Sequence, residues 1–254
     1  MAMSMMISKT TSPQVLNQGV ASPGHKYVDS KLLSLDHVID SAKEAFLRKK
    51  EERRIKNLYE KVCGVKMLPP GRPLGNDMYQ MLEEMNISRL SVPGSLKYYE
   101  ILLKTQCVPG IGYENENGGL SFYSPKIGEI ANIGEDGITM LYNKENQKST
   151  SICVFENFLD FLAYRTLMSL GKRYIYSDVL IMNSTRNFIH CMFESENYKQ
   201  VLCFFHRDSE SSLVMSETVM QRMVGTSKDM SYIYSESGSN SLLEFIQTID
   251  SNTI

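Results

Sequence analysis

The chain has 254 residues, 42% of them hydrophobic, and a net charge of −2. This length allows one large domain or two small ones, and the apolar content is enough for a buried core. The small net charge excludes a protein-wide basic field for nucleic acid, so any such binding depends on a local patch. No apolar run reaches the roughly 20 residues of a membrane span, and the first residues lack the apolar core of a signal peptide. We therefore expect a cytoplasmic protein.

The first 30 residues are polar and show no period, which predicts a mobile tail. Residues 33–62 follow with apolar residues at helical spacing, and their most charged part is RKKEERRIK, 48–56. This basic stretch is either a handle for phosphates or a solvated helix face with pairs of opposite charge. The proline- and glycine-rich LPPGRPLGN, 68–76, predicts a loop or boundary.

A small α+β module is predicted before residue 146, so that the preceding domain spans 31–145. Helical patterns cover 77–100, with a short break before PGSLKYYEILLK. The stretch IGYENENGGLSFYS, 111–124, predicts a hairpin with its turn at Asn117-Gly118-Gly119. GITMLYN, 137–143, is a further candidate strand.

From residue 151 the chain alternates between strands and helices. The predicted strands are 151–155, 177–184, 201–205 and 231–235, and helical patterns lie between them and at the end. The last helix carries Ser241 and Glu244 at the spacing of a capping box. This alternation predicts an α/β domain over 150–250, with a mostly parallel sheet flanked by helices.

The five cysteines are scattered along the chain without a Cys-x-x-Cys pair, and Cys153 and Cys203 lie inside apolar runs. Free, buried thiols in a reducing compartment explain this pattern better than a disulfide framework or a zinc site.

Polar residues follow two of the apolar strands at the point where each strand ends. Glu156 comes directly after SICVF, and His206, Arg207 and Asp208 come after VLCFF. Ligands of parallel sheets collect at the carboxyl ends of the strands. If the two strands are neighbours, Glu156 and Asp208 face one crevice and can share a cation. Alternatively, Glu156 only stabilises the following helix, because its negative charge lies near the positive end of the helix dipole.

These segments resemble a known family. FENFLDFLAY, SDVLIMNSTRNF and VLCFFHRDSESS resemble a Toprim domain, the metal-dependent module of primases, topoisomerases and related nucleases. The upstream YENENGGLSFYSPKIGEIANIG is similar to the segment that precedes this domain in primase-like proteins of bacterial mobile elements. The resemblance covers roughly 78–247 and implies a Toprim-like, Rossmann-like fold.

The resemblance also implies roles for individual residues. Glu156 matches the general acid or base of phosphoryl transfer, Asp208 matches the second aspartate of a magnesium-binding pair, and Asn183 matches a structural asparagine. His206 stands where the family has its first metal-binding aspartate, and Glu210 and Ser211 replace a small residue and a glycine. A candidate metal set therefore comprises Glu156, Asp208, His206 and Glu210. Imidazole is a poor ligand for Mg²⁺, so Mn²⁺ is the better fit.

Two functions follow from the resemblance and its departures. The first is a nucleic-acid-processing or nucleic-acid-associated protein with weakened primase- or nuclease-type chemistry, using Mg²⁺ or Mn²⁺. Its candidate contacts to nucleic acid are Arg207, Arg186, Lys172 and Arg173, with Arg165 as a further cation near the crevice. The alternative is a Toprim-fold protein that has lost catalysis and serves as a binding or assembly partner of another protein.

Overall fold

The computed structural model describes residues 42, 43, 46, 49, 70–103, 106–143, 149–171, 176–223 and 225–249. The predicted tail over 1–30 lies outside these residues, as does nearly all of the predicted helix over 33–62, including most of its basic stretch. In the part of the chain that the structure describes, no helix is long and apolar enough to cross a membrane.

The first half of the described chain builds an antiparallel sheet. A helix and a 3-10 turn precede four strands, paired in the order β1-β2-β3-β4. The bounds of these elements are α1 (Asn76–Glu84), the 3-10 turn (Arg89–Ser91), β1 (Lys97–Leu103), β2 (Gln106–Glu114), β3 (Leu120–Tyr123) and β4 (Ile130–Ile133). The predicted loop before Asn76 and the helix after it are confirmed over the described residues.

The helix predicted to continue to residue 100 is wrong in its second part, because Lys97–Leu103 is strand β1. Tyr99 and Ile101 are buried while Glu100 between them is exposed, which is the two-residue period of a strand. The backbone of β1 pairs along its whole length with β2, from Lys97 opposite Gly112 to Leu103 opposite Gln106. Tertiary pairing therefore overrides the helical preference of its leucines, lysine and glutamate.

The predicted hairpin is confirmed, with β2 and β3 joined through the Asn-Gly-Gly turn. Gly118 has a φ of 79°, a left-handed conformation that glycine adopts without strain. The Oδ1 atom of Asn115 accepts the backbone N–H groups of Asn117 (3.0 Å) and Gly119 (2.8 Å). A Cβ on Gly119 would lie 2.0 Å from the carbonyl oxygen of Glu135, so this position has room only for glycine.

The second half forms a five-stranded sheet in the order β5-β7-β6-β8-β9. Strand β5 is antiparallel to β7, and the other three pairings are parallel. The α/β class is thus confirmed and the sheet is mixed. A Rossmann-like arrangement stays a prediction, as do the domain limits 1–30, 31–145 and 150–250.

The strands and helices of this second half have the following bounds: β5 (Thr139–Leu141), β6 (Ser151–Phe155), α2 (Phe158–Leu170), β7 (Asp178–Ile181), a 3-10 turn (Thr185–Asn187), α3 (Phe188–Ser195), β8 (Gln200–Phe204), α4 (Glu210–Arg222), β9 (Ser227–Asp229), α5 (Tyr232–Ser235) and α6 (Leu242–Thr248).

The strand predicted over 231–235 is wrong, because these residues include the short helix α5. The fourth parallel strand is β9, which lies just before it and pairs with Val201–Cys203 of β8. Its sequence, Ser-Lys-Asp, is polar and resembles a loop, so only its backbone pairing identifies it. The Oδ1 atom of Asp229 accepts the N–H of Ser231 at 2.8 Å and starts the turn that leads into α5.

Both faces of the second sheet are covered by apolar side chains. Along β6, Cys153 and Phe155 join a core with α1, α2 and α6, whereas Ile152 and Val154 join a core with α3 and α4. Burial on both faces explains why β6 and β8 are continuous apolar runs in the sequence.

Free thiols are confirmed for the four described cysteines, and Cys153, Cys191 and Cys203 are buried. Burial raises the pKa of Cys153 to about 11 and that of Cys191 to about 12. These thiols therefore stay protonated and unreactive at neutral pH. Cys107 is exposed, and Cys63 lies outside the described residues.

Candidate functional site

Strands β6 and β8 are adjacent and parallel, with Phe155 opposite Phe204. Their carboxyl ends therefore lie side by side, and Glu156 comes close to the segment His206–Asp208. We call the space above these two strand ends the crevice. The prediction that these two strands are neighbours is confirmed, whereas the chemical roles of the polar residues that follow them stay predictions.

Glu156 is held against the backbone that follows β8. Its Oε1 atom accepts the backbone N–H of His206 at 2.7 Å. Its Oε2 atom lies 4.0 Å from Nδ1 of His206, and the side chain is only 12% exposed. One carboxylate oxygen of Glu156 is thus already occupied by a donor of the protein.

Asp160 makes a short contact with His206 in the crevice, and the sequence interpretation did not include it among the site residues. Its Oδ2 atom lies 2.6 Å from Nε2 of His206 and accepts an N–H of the Asn157 amide at 2.7 Å. Its Oδ1 atom accepts the backbone N–H of Leu243 at 3.0 Å. Asp160 is 1% exposed. An acid on the apolar helix FLDFLAY was the available signal, because a buried carboxylate needs partners.

The local helix start explains how Asp160 reaches this position. Asn157 caps α2, and its Oδ1 atom accepts the backbone N–H of Asp160 at 3.0 Å. Asp160 lies in the first turn of α2, where a negative charge interacts favourably with the helix dipole. Helix geometry therefore directs this carboxylate toward the end of β8.

Burial disfavours the charged form of His206, but the hydrogen bond and charge of Asp160 outweigh it. Together with the carboxylates of Glu156 and Asp208, they raise the pKa of His206 to about 9. The imidazole is therefore protonated at neutral pH and forms an ion pair with Asp160. A positive charge lies where the resemblance expects a metal ligand.

The remaining predicted metal ligands are more exposed. Asp208 has a side chain that is 56% exposed, and its Oδ1 atom lies 3.9 Å from Nδ1 of His206. Glu210 is exposed in the first turn of α4, where its charge favours the helix N-terminus. The position of Glu210 in this first turn is explained by the helix dipole alone, and its role as a metal ligand stays a prediction.

Asn183 lies at the end of β7 in a left-handed conformation, with a φ of 63°. Its amide nitrogen donates to the carbonyl oxygen of Gly137 and to Oγ1 of Thr139, both at 3.0 Å. Its backbone oxygen accepts from the Asn132 amide at 2.7 Å. These bonds connect the end of β7 to β5 and to the first sheet, which agrees with the structural role that the resemblance implies.

Three of the predicted cations near the crevice lie within the described residues, and each contacts a different part of the structure. Arg186 is 81% exposed and lies 3.2 Å from Asp136, and Arg207 lies 3.5 Å from Asp229. Arg165 donates through Nε to the carbonyl oxygen of Ser91, away from the crevice. Lys172 and Arg173 lie outside the described residues. Arg186 and Arg207 therefore each have an acidic partner.

The described residues are a poor fit for the predicted Mg²⁺ or Mn²⁺. Within the described ranges, no three His, Cys, Asp or Glu residues are grouped so that they could hold a metal ion. Both oxygens of Asp160 and one oxygen of Glu156 already accept protein hydrogen bonds. Divalent cations of this kind need free, hard oxygen ligands, which here are reduced to Asp208 and one oxygen of Glu156.

Comparisons with known proteins return distant similarities. No family model matches the chain, and no curated protein matches it. The primase fragment of the bacteriophage T7 primase-helicase protein is similar over 63% of this chain and 70% of its own, at 14% identity and a TM-score of 0.42. A chain in the complex of the bacteriophage T7 lagging-strand DNA polymerase with primase domains is similar over 70% of this chain and 91% of its own, at 12% identity and a TM-score of 0.37.

Proposed function

We propose that this chain is a Toprim-like domain in which the imidazolium of His206 takes the place of a divalent cation, and that it acts as a binding or assembly module. The observation that carries this proposal is the distance of 2.6 Å between Nε2 of His206 and Oδ2 of Asp160. A charge supplied by the chain itself neutralises the acids that a metal ion would otherwise join.

Metal-dependent phosphoryl transfer needs carboxylates that are free to take the cation and a group that is free to move a proton. Glu156 accepts a backbone N–H, and Asp160 accepts three donors. A cation entering the crevice would have to displace these donors and would meet the positive charge of His206. Both effects oppose metal binding.

The charge of the crevice also disfavours a phosphate backbone. Three carboxylates surround His206, while Arg186 and Arg207 are paired with Asp136 and Asp229. Phosphate contacts need unpaired cations that release counterions. The described residues thus support a protein partner better than nucleic acid bound at this edge of the sheet.

A second candidate is the nucleic-acid-processing protein with a weakened cation site. The position of Glu156 at the carboxyl end of β6 favours it, because this is where the resemblance places the general acid or base. In that case Mg²⁺ or Mn²⁺ would bind between Glu156 and Asp208, and Lys172, Arg173 and the stretch 48–56 would contact nucleic acid. An origin in a bacterial mobile element also belongs to this candidate.

Calorimetric titration with MgCl₂ and MnCl₂ separates the two candidates, using the wild type and Asp208→Ala. The proposal predicts weak heats that are the same in both proteins. Saturable binding that is lost in Asp208→Ala would favour the second candidate. Fluorescence anisotropy on single- and double-stranded probes completes the test, since tight binding that falls steeply with salt would also contradict the assembly module.

A further inference from the structure

A cleft lies between β1 and β2 of the first sheet and β5 of the second, on residues that the crevice does not use. Its volume is about 580 Å³, within the range of small-molecule sites. Its charged lining residues are Lys97, Glu114 and Glu116, and Tyr99, Tyr113 and Tyr142 provide aromatic surface. Met140 and Leu141 add apolar wall.

The two carboxylates of the cleft are each held by one protein donor. Oε1 of Glu114 accepts the hydroxyl of Tyr99 at 3.1 Å, and Oε1 of Glu116 lies 2.9 Å from Nδ1 of the buried His190. In the described part of the chain, neither Oε2 atom has a hydrogen-bond or ion-pair partner. Each carboxylate is therefore oriented and still has an oxygen for a ligand.

Lys97, the positively charged residue of the cleft lining, does not pair with either carboxylate. Its Nζ atom donates to the carbonyl oxygen of Gly94 at 2.7 Å. Anionic ligands such as phosphates would meet two carboxylates, so they are disfavoured. A positively charged group would gain charge-assisted hydrogen bonds. Tyr142, which is 67% exposed at the cleft, adds an aromatic face on which an organic cation can lie.

We infer that this cleft binds an organic cation, a guanidinium or primary ammonium group on an apolar stem, through Glu114, Glu116 and Tyr142. Met140 and Leu141 contact the stem. Such a group is carried by an arginine or lysine side chain of a partner protein and also by free polyamines. The inference is independent of the proposed role of His206, because the two sites share no residue.

The test uses the full chain and N-acetyl-arginine amide as the probe, with ¹H–¹⁵N chemical-shift mapping and calorimetry. We expect shifts at Met140, Leu141 and Tyr142. Glu114→Gln should weaken binding about tenfold, since it removes the charge while keeping an acceptor for Tyr99. Tyr142→Ala, at a position that is 67% exposed, should weaken it about threefold.

The matched control is Glu100→Gln. Glu100 accepts the hydroxyl of Tyr98 at 2.8 Å, as Glu114 accepts that of Tyr99, but it does not line the cleft. The affinity of the Glu100→Gln variant for the probe should equal that of the wild type. N-acetyl-citrulline amide, which lacks the charge, should bind about tenfold more weakly than the arginine probe.

Two further ligands separate the sources of the cation. Tighter binding of a capped tripeptide with central arginine indicates a side chain of a partner protein, and tighter binding of spermidine indicates a free polyamine. Equal affinity for the citrulline and arginine probes would overturn the inference. An unchanged affinity in Glu114→Gln, or shifts confined to other parts of the chain, would overturn it as well.

Discussion

Nε2 of His206 lies 2.6 Å from Oδ2 of Asp160, so the end of β8 and the first turn of α2 are joined by an ion pair. The same carboxylate accepts the backbone N–H of Leu243 at 3.0 Å, at the start of α6. Asp160 thus connects three elements that are far apart in sequence. Because the carboxylate is 1% exposed, this connection is shielded from solvent and salt.

The first prediction concerns the pH dependence of stability. The pKa of His206 rises from an ordinary 6.5 to about 9 on folding, so the folded chain binds this proton more tightly than the unfolded chain. The resulting stabilisation, on the order of 3 kcal/mol, is complete below pH 6.5 and is lost as the pH rises through about 9. Urea unfolding of the wild type and His206→Gln at pH 6, 7.5 and 10 measures it.

The difference in unfolding free energy between these two proteins should shrink as the pH rises. NMR titration of the His206 ring provides a direct control, and its midpoint should lie near pH 9. A midpoint below 7, or a difference between the proteins that is the same at all three pH values, would contradict the ion pair.

The second prediction concerns Asp160→Asn, which removes the charge and keeps an oxygen for the N–H of Leu243. Loss of one partner of a buried ion pair leaves the other uncompensated, so the free energy of unfolding should fall by about 3 kcal/mol. The pKa of His206 should fall as well. Chemical denaturation and the same NMR titration measure both effects.

Asp208→Asn is the matched control, since Asp208 is also near His206 but is 56% exposed at 3.9 Å. Its effect on stability should stay within about 0.5 kcal/mol. Similar losses in the two variants would mean that the position of Asp160 is not special.

The third prediction concerns His206→Asp, which restores the acid that the resemblance expects. The variant places a fourth carboxylate next to Glu156, Asp160 and Asp208 and removes the internal positive charge. Repulsion among them should create affinity for Mg²⁺. The melting temperature of the variant should therefore rise with MgCl₂ but not with NaCl of equal ionic strength, whereas the wild type should respond alike to both. An equal response of both proteins to MgCl₂ would contradict the proposal that the imidazolium of His206 takes the place of a divalent cation.

The fourth prediction concerns the support beneath the crevice. The buried hydroxyl of Tyr234 donates to the carbonyl oxygen of Phe205, directly before His206. Tyr234→Phe leaves this buried acceptor unpaired and should cost about 1–2 kcal/mol of unfolding free energy. Tyr232→Phe, at a residue that is 46% exposed, should have little effect. If both variants unfold at the same denaturant concentration as the wild type, the hydroxyl does not support the end of β8.

Hydrophobic pattern was sufficient to predict the strands that build the crevice. Strands β6 and β8 are buried on both faces, so their apolar runs are unmistakable, and their parallel pairing follows from the helices between them. Because the two strands are parallel neighbours, the polar residues that follow them lie together at the carboxyl edge of the sheet. The position of Glu156 beside His206 was predictable for this reason.

Pattern failed where pairing partners decide the structure. Strand β1 contains good helix formers, and β9 is a polar tripeptide, so both depend on a neighbouring strand for their conformation. The role of Asp160 depends on contacts with His206 and Leu243, 46 and 83 positions away in the chain. Local sequence showed an acid among apolar residues, but tertiary contacts identify its partners.

The turn of the β2–β3 hairpin also links the two sheets. The Asn115 amide donates to the carbonyl oxygen of Glu135 at 2.7 Å, the Asn117 amide donates to that of Asp136 at 2.6 Å, and the N–H of Glu116 donates to that of Ile138 at 3.0 Å. These acceptors lie just before β5, the edge strand of the second sheet. Local opening of the hairpin would therefore expose β5 as well, and amide hydrogens of the two regions should exchange with solvent as one cooperative unit.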